Sequence, residues 1–308
     1  MIIDTLGIII GIYCVLRGAD KLTDGAVSIA QRLNMSPIVI GLTVVALGTS
    51  MPELFISLTS ALQGVTDIAV ANVVGSNIFN VLLIGGVSAA VAPMTIMRTT
   101  VRRDIPVVIF ASALLLACGL YGEINRWMGI VFLILMLAYT IYAIRTAKAD
   151  ESEDMEQKGY SWLKASILFI LGLVLLIVGS NVFVTCATSV AEGLGISDAI
   201  IGLTIVAGGT SLPELATSVV AARKGQSAIA MGNVLGSCVY NILLIIGMTG
   251  VISPLIIEGI TPVDFGMMLV SIILLWLFSF TKYKLERWEG IALVVLFIAY
   301  MAWLIMNI

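Results

Sequence analysis

Residues 41–54 read GLTVVALGTSMPEL, and residues 202–215 read GLTIVAGGTSLPEL. The offset is 161 residues, and 14 of 24 positions between 41–64 and 202–225 are identical without a gap. The register continues downstream, where Asn72, Gly75, Ser76, Asn80 and Pro93 map to Asn233, Gly236, Ser237, Asn241 and Pro254. Self-similarity at one fixed period marks a repeated architecture, and overlooking it misreads the whole fold. The chain reads as two copies of one unit.

The copies are built for lipid. Of 308 residues, 60% are AVILMFWYC and only 11% are DEKR, with a mean hydropathy of +1.11. A soluble domain carries about 25% charged residues, so 16 basic and 19 acidic side chains are too few to cover a globule of this length. A spanning helix needs roughly 20 mostly apolar residues. Ten such runs lie near 4–32, 37–62, 67–91, 105–121, 127–145, 161–191, 198–222, 228–252, 262–280 and 288–306. The expected fold is therefore all-α and integral to the membrane, with ten transmembrane helices. Residues 1–146 form a first five-helix repeat, 147–160 a short acidic linker, and 161–308 a second five-helix repeat. Five is odd, so the second copy enters the membrane from the opposite side. Inverted-topology repeats of this kind characterise secondary transporters, whose sites lie near the midplane where the halves meet.

Charge placement gives an orientation. Lys and Arg concentrate in cytoplasmic loops; thirteen of the sixteen fall in loops on one side, and only Arg126 falls in a loop on the other. Both termini are expected outside a plasma membrane and the linker 147–160 inside. Met1-Ile2-Ile3-Asp4 offers no basic segment ahead of the first apolar run, which reads as a retained helix, not a cleaved signal. The net charge of −3 comes largely from the Asp/Glu cluster at 150–156, a solvated loop. Trp127, Trp162, Trp288 and Trp303 fall near helix ends, as an interfacial belt does.

Several functions are excluded. No basic stripe or stacking platform suits nucleic acid. The chain has no His, the commonest general base and metal ligand. Cys14, Cys118, Cys186 and Cys238 stand singly in apolar runs without CxxC spacing, and read as packing residues. Neither a cofactor nor an obligate protein partner is implied; the surrounding partner is the bilayer.

The repeated segments carry the chemistry. Pro52 and Pro213 sit mid-span, each preceded by Gly-Thr-Ser-x and followed by Glu. Proline lacks the backbone donor and its ring clashes with the preceding turn, so each helix should break there and free carbonyls around Val45 and Ala46. Irregular backbone at this depth survives only inside protein or beside a wet cavity. A carboxylate at the bilayer centre costs on the order of 3 kcal/mol, and Glu53 and Glu214 have no basic side chain beside them in sequence. Their counter-charge is then a mobile cation or a proton. Thr49 lies four residues before Glu53 and Thr210 four before Glu214, placing hydroxyl and carboxylate on one face. Asn72, Ser76 and Asn80 step by four along the next helix, as do Asn233, Ser237 and Asn241. All offer oxygen, which suits hard cations; calcium takes six to eight oxygens at about 2.3–2.6 Å, whereas magnesium holds its waters. Packing by small polar residues is the competing reading of this face, above all for Asn72 and Asn233. Gly75 and Gly236 read as points of close helix approach.

The paired G-T-S-x-P-E segments, each followed by an N-x-x-G-S-x-x-x-N segment, resemble the α-repeats of the cation/Ca²⁺ exchanger superfamily. The similarity is greatest to its Na⁺/Ca²⁺ exchanger branch, in the prokaryotic form without a large regulatory loop. It spans essentially the whole chain. The resemblance implies ion sites between helices 2, 3, 7 and 8, with Glu53 and Glu214 as central ligands shared by Ca²⁺ and Na⁺. It implies that Thr49, Ser50, Thr210 and Ser211, with the carbonyls of Ala46, Val206 and Ala207, complete the sites. Ser76, Asn80, Ser237 and Asn241 would contribute from helices 3 and 8. Potassium-dependent exchangers of this kind, and some prokaryotic relatives, carry Asp where Asn241 stands, so Asn here points to potassium independence.

The function expected is a sodium-for-calcium antiporter working by alternating access, not an enzyme. Two carboxylates balance one Ca²⁺ or two Na⁺, and an unloaded dry cage should resist switching. The long first and sixth helices are expected to tilt or slide as a gate. Asp20 in the first maps to Asn181 in the sixth and reads chiefly as solvation of a helix end. A proton-coupled calcium or cation antiporter is the alternative, and an intramembrane hydrolase using the Glu53/Glu214 pair is the remote one.

Overall fold

The structure, a computed structural model, describes residues 2–146, 160–194, 205 and 207–306. Most of the linker, the start of the expected seventh span and Val206 lie outside the described residues.

The chain is helical almost throughout. Helix α1 spans Ile2–Leu33. Helices α2 (Pro37–Thr49) and α3 (Met51–Leu62) form one span bent by 49°. Next come α4 (Thr66–Val91), α5 (Thr100–Tyr121) and α6 (Arg126–Arg145). The second half holds α7 (Trp162–Gly193), α8 (Ala207–Thr210), α9 (Leu212–Arg223) and α10 (Ser227–Ile252). It closes with α11 (Pro262–Ser279) and α12 (Arg287–Met306). Seven described helices are long and apolar enough to cross a bilayer, and the α2–α3 pair makes an eighth. The long α1 falls outside that set; from its middle onward it carries Arg17, Asp20, Lys21, Asp24 and Arg32.

The repeat is visible in the element bounds. Shifting α3 by 161 residues lands on α9, and shifting α6 lands on α12. Two-residue strands follow the same rule: β1 (Met94–Thr95) corresponds to β3 (Leu255–Ile256), and β2 (Glu123–Ile124) to β4 (Lys284–Leu285). They pair across the copies, β1 with β4 and β2 with β3, both antiparallel. Helices α1 and α7 also occupy equivalent places, and they run antiparallel along each other. A Cβ on Gly11, Gly18 or Gly25 would meet backbone at Gly179, Gly172 or Ala165 respectively, at 2.8 Å each. Small residues seven apart on both helices let the backbones touch, the usual glue where lipid removes the hydrophobic drive between helices.

Local sequence explains the helix ends. Asn125 and Ser161 cap α6 and α7 through their side-chain oxygens, and Thr261 with Asp264 forms a capping box on α11. Gly64 and Gly225, equivalent positions just beyond α3 and α9, have φ of 78° and 74°, where a Cβ would strain the turn. Trp127, Trp162 and Trp288 stand in first turns and Trp303 in a last turn, all exposed.

Candidate cation-binding site

The span breaks at Ser50, whose φ and ψ of −82° and 9° interrupt the helix. Pro52 then falls at the second position of α3, where no intrahelical donor is needed. The expected free carbonyl at Ala46 is not found: it accepts from Ser50 N–H at 3.0 Å and from the Thr49 hydroxyl at 3.3 Å. The turn before the break stays closed because Ser50 leaves the helix only after its N–H has bonded. In the second copy, the carbonyl four residues before Pro213 belongs to Gly209, and Ser180 of α7 donates to it. The small residues at the breaks also admit α7, since Leu173 lies over Gly48 and Val184 over Gly209.

Each break begins a new helix whose first turn carries a glutamate, Glu53 in α3 and Glu214 in α9. Both are 1% exposed. The two copies reach across to each other. Ser50 donates to Glu214 Oε1 at 2.9 Å, and Ser211 donates to Glu53 Oε1 at 3.0 Å. These cross-copy bonds to ionisable oxygens bring the two carboxylates to one place. Thr49 donates to Asn233 Oδ1 at 3.1 Å, a third link between copies. Thr210 sits at the matching turn of the second copy.

Asn72 and Asn233 brace the carboxylate helices. Asn72 Nδ2 donates to the Glu53 carbonyl (3.1 Å) and Ser57 (2.9 Å); Asn233 Nδ2 donates to the Glu214 carbonyl (3.3 Å) and Ser218 (3.0 Å). They satisfy backbone at the break, in line with packing. Asn80 and Asn241 each lie in a π-helical stretch, Phe79–Gly85 and Tyr240–Ile245. Such widened turns recur at functional sites, and they make a step of four a poor ruler beyond Ile78. Ser76, Ser237, Asn80 and Asn241 are all buried. A Cβ on Gly236 would meet Ala46 Cβ at 2.6 Å, the expected close approach, whereas one on Gly75 would meet nothing within 4 Å, so the approach expected there is not made.

Five of these oxygens are buried without a hydrogen-bond partner: Glu53 Oε2, Glu214 Oε2, Asn80 Oδ1, Asn241 Oδ1 and Ser237 Oγ. Each such group costs about 1–3 kcal/mol when left unpaired. Four of the five can only accept, so a hydroxyl neighbour cannot satisfy them all. A cation can. Among the described residues, no three His, Cys, Asp or Glu side chains converge as a metal cluster, so the donors are hydroxyl, amide and two carboxylate oxygens. Of the expected carbonyl donors, Ala207 opens α8 and Val206 is outside the described residues.

Sequence reading missed Asn77. It is buried, its Oδ1 accepts from Asn241 Nδ2 at 3.3 Å, and its equivalent in the second copy is Cys238. It also missed the pairing of Arg103 with buried Asp104 (2.7 Å), to which Tyr139 adds a longer hydroxyl contact.

The copies differ in how the α1/α7 pair rests on them. Helix α1 packs along α9, whereas α7 makes no comparable packing along α3. Lys224, just past α9, binds Asp20 and Asp24 of α1 at 2.9 and 3.2 Å. The equivalent residues in the other copy are Gln63, Asn181 and Thr185, none of them charged.

The family model for the sodium/calcium exchanger protein matches residues 3–145 and again 164–306. The chain belongs to the sodium/calcium exchanger protein family. It is a transporter, not an enzyme, and the hydrolase reading falls. The two matched segments differ by 161 residues at both ends. CaxA from Alkalimonas amylolytica is 36% identical over 97% of this chain and 98% of its own. The sodium/calcium exchanger MaX1 from Methanosarcina acetivorans is 32% identical over 97% of each chain. A solved structure of the sodium-calcium exchanger NCX_Mj, soaked with Na⁺ and Ca²⁺, superposes with a TM-score of 0.88 at 31% identity, covering 98% of both chains.

Proposed function

We propose that this transporter exchanges Na⁺ for Ca²⁺ across the plasma membrane by alternating access, with both ions bound where the two carboxylates meet. The observation that carries the proposal is a set of five buried, unpartnered oxygens, two on Glu53 and Glu214 themselves and three on Asn80, Asn241 and Ser237. The buried carboxylates supply two negative charges, and no Lys or Arg pairs with them among the described contacts. One Ca²⁺ or two Na⁺ neutralise that pair, and oxygen donors of this kind suit both ions. MaX1 and NCX_Mj are named for the same exchange. The ligand set is proposed as Glu53, Glu214, Thr49, Thr210, Ser50, Ser211, Ser76, Ser237, Asn80 and Asn241, with carbonyls of Val206 and Ala207, and of Ala46 through the lone pair that the Thr49 hydroxyl occupies here. Neutral Asn241 keeps the count at two charges, which supports exchange without potassium.

The halves are read as inverted repeats of five helices each, joined by the linker at 147–160. Antiparallel α1 and α7, at equivalent places, support that reading. Helix α7 lies over both breaks, with Leu173 on Gly48 and Val184 on Gly209, and movement of the pair is read as opening one side or the other. Near Lys224, α1 packs along α9 and is held there by ion pairs; that end is read as the closed one and as the cytoplasmic face, with both termini outside. The test is ⁴⁵Ca²⁺ uptake into Na⁺-loaded vesicles by Glu53→Gln and Glu214→Gln. Each should lose uptake while still folding; full-rate uptake by both would sink the proposal.

A further inference from the structure

We propose that Asn77 is a positioning residue: it fixes the orientation of the Asn241 amide so that its oxygen, not its nitrogen, faces the ions. The proposal rests on Asn241 being an ion ligand. An asparagine amide can present either end, and only the oxygen end binds a cation. The choice is made by whatever holds the other end.

Three side chains in line make that choice. Met268, buried on α11, accepts the Asn77 amide nitrogen at its sulfur, 3.8 Å away. Sulfur accepts a hydrogen bond weakly and has nothing to donate to an amide oxygen, so this contact selects the Asn77 nitrogen. The Asn77 oxygen then points at Asn241 and accepts its Nδ2 at 3.3 Å. The Asn241 oxygen is left buried and unpartnered, free for an ion. The order is therefore set from Met268 through Asn77 to Asn241.

The repeat sharpens the point. Asn80 is the equivalent of Asn241, but the residue equivalent to Asn77 is Cys238, which is no amide. The orientation device exists in one copy only. It is also needed only while position 241 is an amide. A carboxylate has two equivalent oxygens and needs no orientation, but it would meet the Asn77 oxygen as acceptor against acceptor.

The experiment is a double-mutant cycle on the full chain in proteoliposomes, reading half-saturating Ca²⁺ and maximal Na⁺-driven rate. Asn77→Leu removes the acceptor and keeps the branching of the side chain. It should raise half-saturating Ca²⁺ about fivefold with the maximal rate largely kept, the effect of one net hydrogen bond. In an Asn241→Asp background the same substitution should not raise half-saturating Ca²⁺, because nothing needs orienting and the acceptor-against-acceptor contact is relieved. Asn77→Asp keeps the acceptor and should not weaken Ca²⁺, which covers the case in which the leucine variant fails to fold. Equal weakening by Asn77→Leu in both backgrounds would assign Asn77 to packing and overturn the proposal, as would weakening by Asn77→Asp. Asn241→Ala separates the two claims. If it leaves half-saturating Ca²⁺ unchanged, the ligand reading of Asn241 fails; if it weakens Ca²⁺ while Asn77→Leu does not, the positioning role alone fails.

Discussion

Replacing Lys224 with glutamine gives the closed end the uncharged residue that its equivalent, Gln63, already presents. The substitution removes two ion pairs, at 2.9 Å to Asp20 and 3.2 Å to Asp24, beside a hydrogen bond to the Asp20 carbonyl at 3.2 Å that a glutamine amide can still donate. The side chains are 28%, 43% and 24% exposed, and they line a solvated cleft of about 500 Å³ with Arg17, Lys21 and Lys164. Solvent screens such pairs to roughly 0.2–1 kcal/mol each, so the pair of contacts contributes about 1 kcal/mol to the form closed at that end. At 1.4 kcal/mol per decade this is about a fivefold change in the equilibrium between closed and open. A ligand entering from the disfavoured side has its apparent affinity reduced by the fraction of open molecules. Half-saturating Ca²⁺ presented at the Lys224 face should therefore fall about fivefold in Lys224→Gln, with little change at the opposite face. The assay compares right-side-out and inside-out membrane vesicles. Raising ionic strength should move wild type the same way and leave the variant unmoved, because exposed pairs are screened within about 10 Å at 0.1 M salt. An unchanged ratio between the two faces, or an equal shift at both, would refute the clamp.

Other outcomes follow from the same geometry. Glu53→Gln and Glu214→Gln each leave one buried charge to balance Ca²⁺; at an effective dielectric of 20, a unit charge near 4 Å is worth about 4 kcal/mol, so Ca²⁺ binding should weaken by at least about 100-fold in calorimetry. Ser50→Ala and Ser211→Ala remove symmetric cross-copy bonds to the glutamates and should weaken Ca²⁺ by similar factors, about tenfold each, in uptake titrations. Gly18→Leu forces a side chain against the Gly172 carbonyl and Leu176 N–H at 2.8 Å; it should lower the thermal midpoint, costing about 1–3 kcal/mol or more in a detergent melting assay, while Gly266→Leu, with no neighbour within 4 Å, should not.

Much of this molecule can be read from residues alone because lipid imposes strict rules. Runs of about 20 apolar residues have few alternatives to helix, and the 161-residue offset carries one copy's elements onto the other. Glu53 and Glu214 stood out because a carboxylate in such a run demands a counter-charge. The breaks were legible from Pro52 and Pro213, but their detail was not: whether the Ala46 carbonyl is free depends on Ser50 keeping its N–H bond. Asn72 and Asn80 share a spacing of eight, yet one braces backbone and the other keeps a buried, unpartnered oxygen; the π-helical turn from Phe79 separates them. Asn77 gave no signal, since its equivalent is a cysteine and its partner lies 164 residues away. The Lys224 clamp was hidden for the same reason, because it joins α1 to the end of α9 across the copies.

The most direct test of the central claim is ⁴⁵Ca²⁺ flux into proteoliposomes with Na⁺, K⁺ and H⁺ gradients imposed one at a time. The account predicts that an outward Na⁺ gradient alone drives uptake, without need of K⁺, and that uptake vanishes in the Glu53→Gln/Glu214→Gln double variant. Uptake driven by a pH gradient without Na⁺ would contradict it.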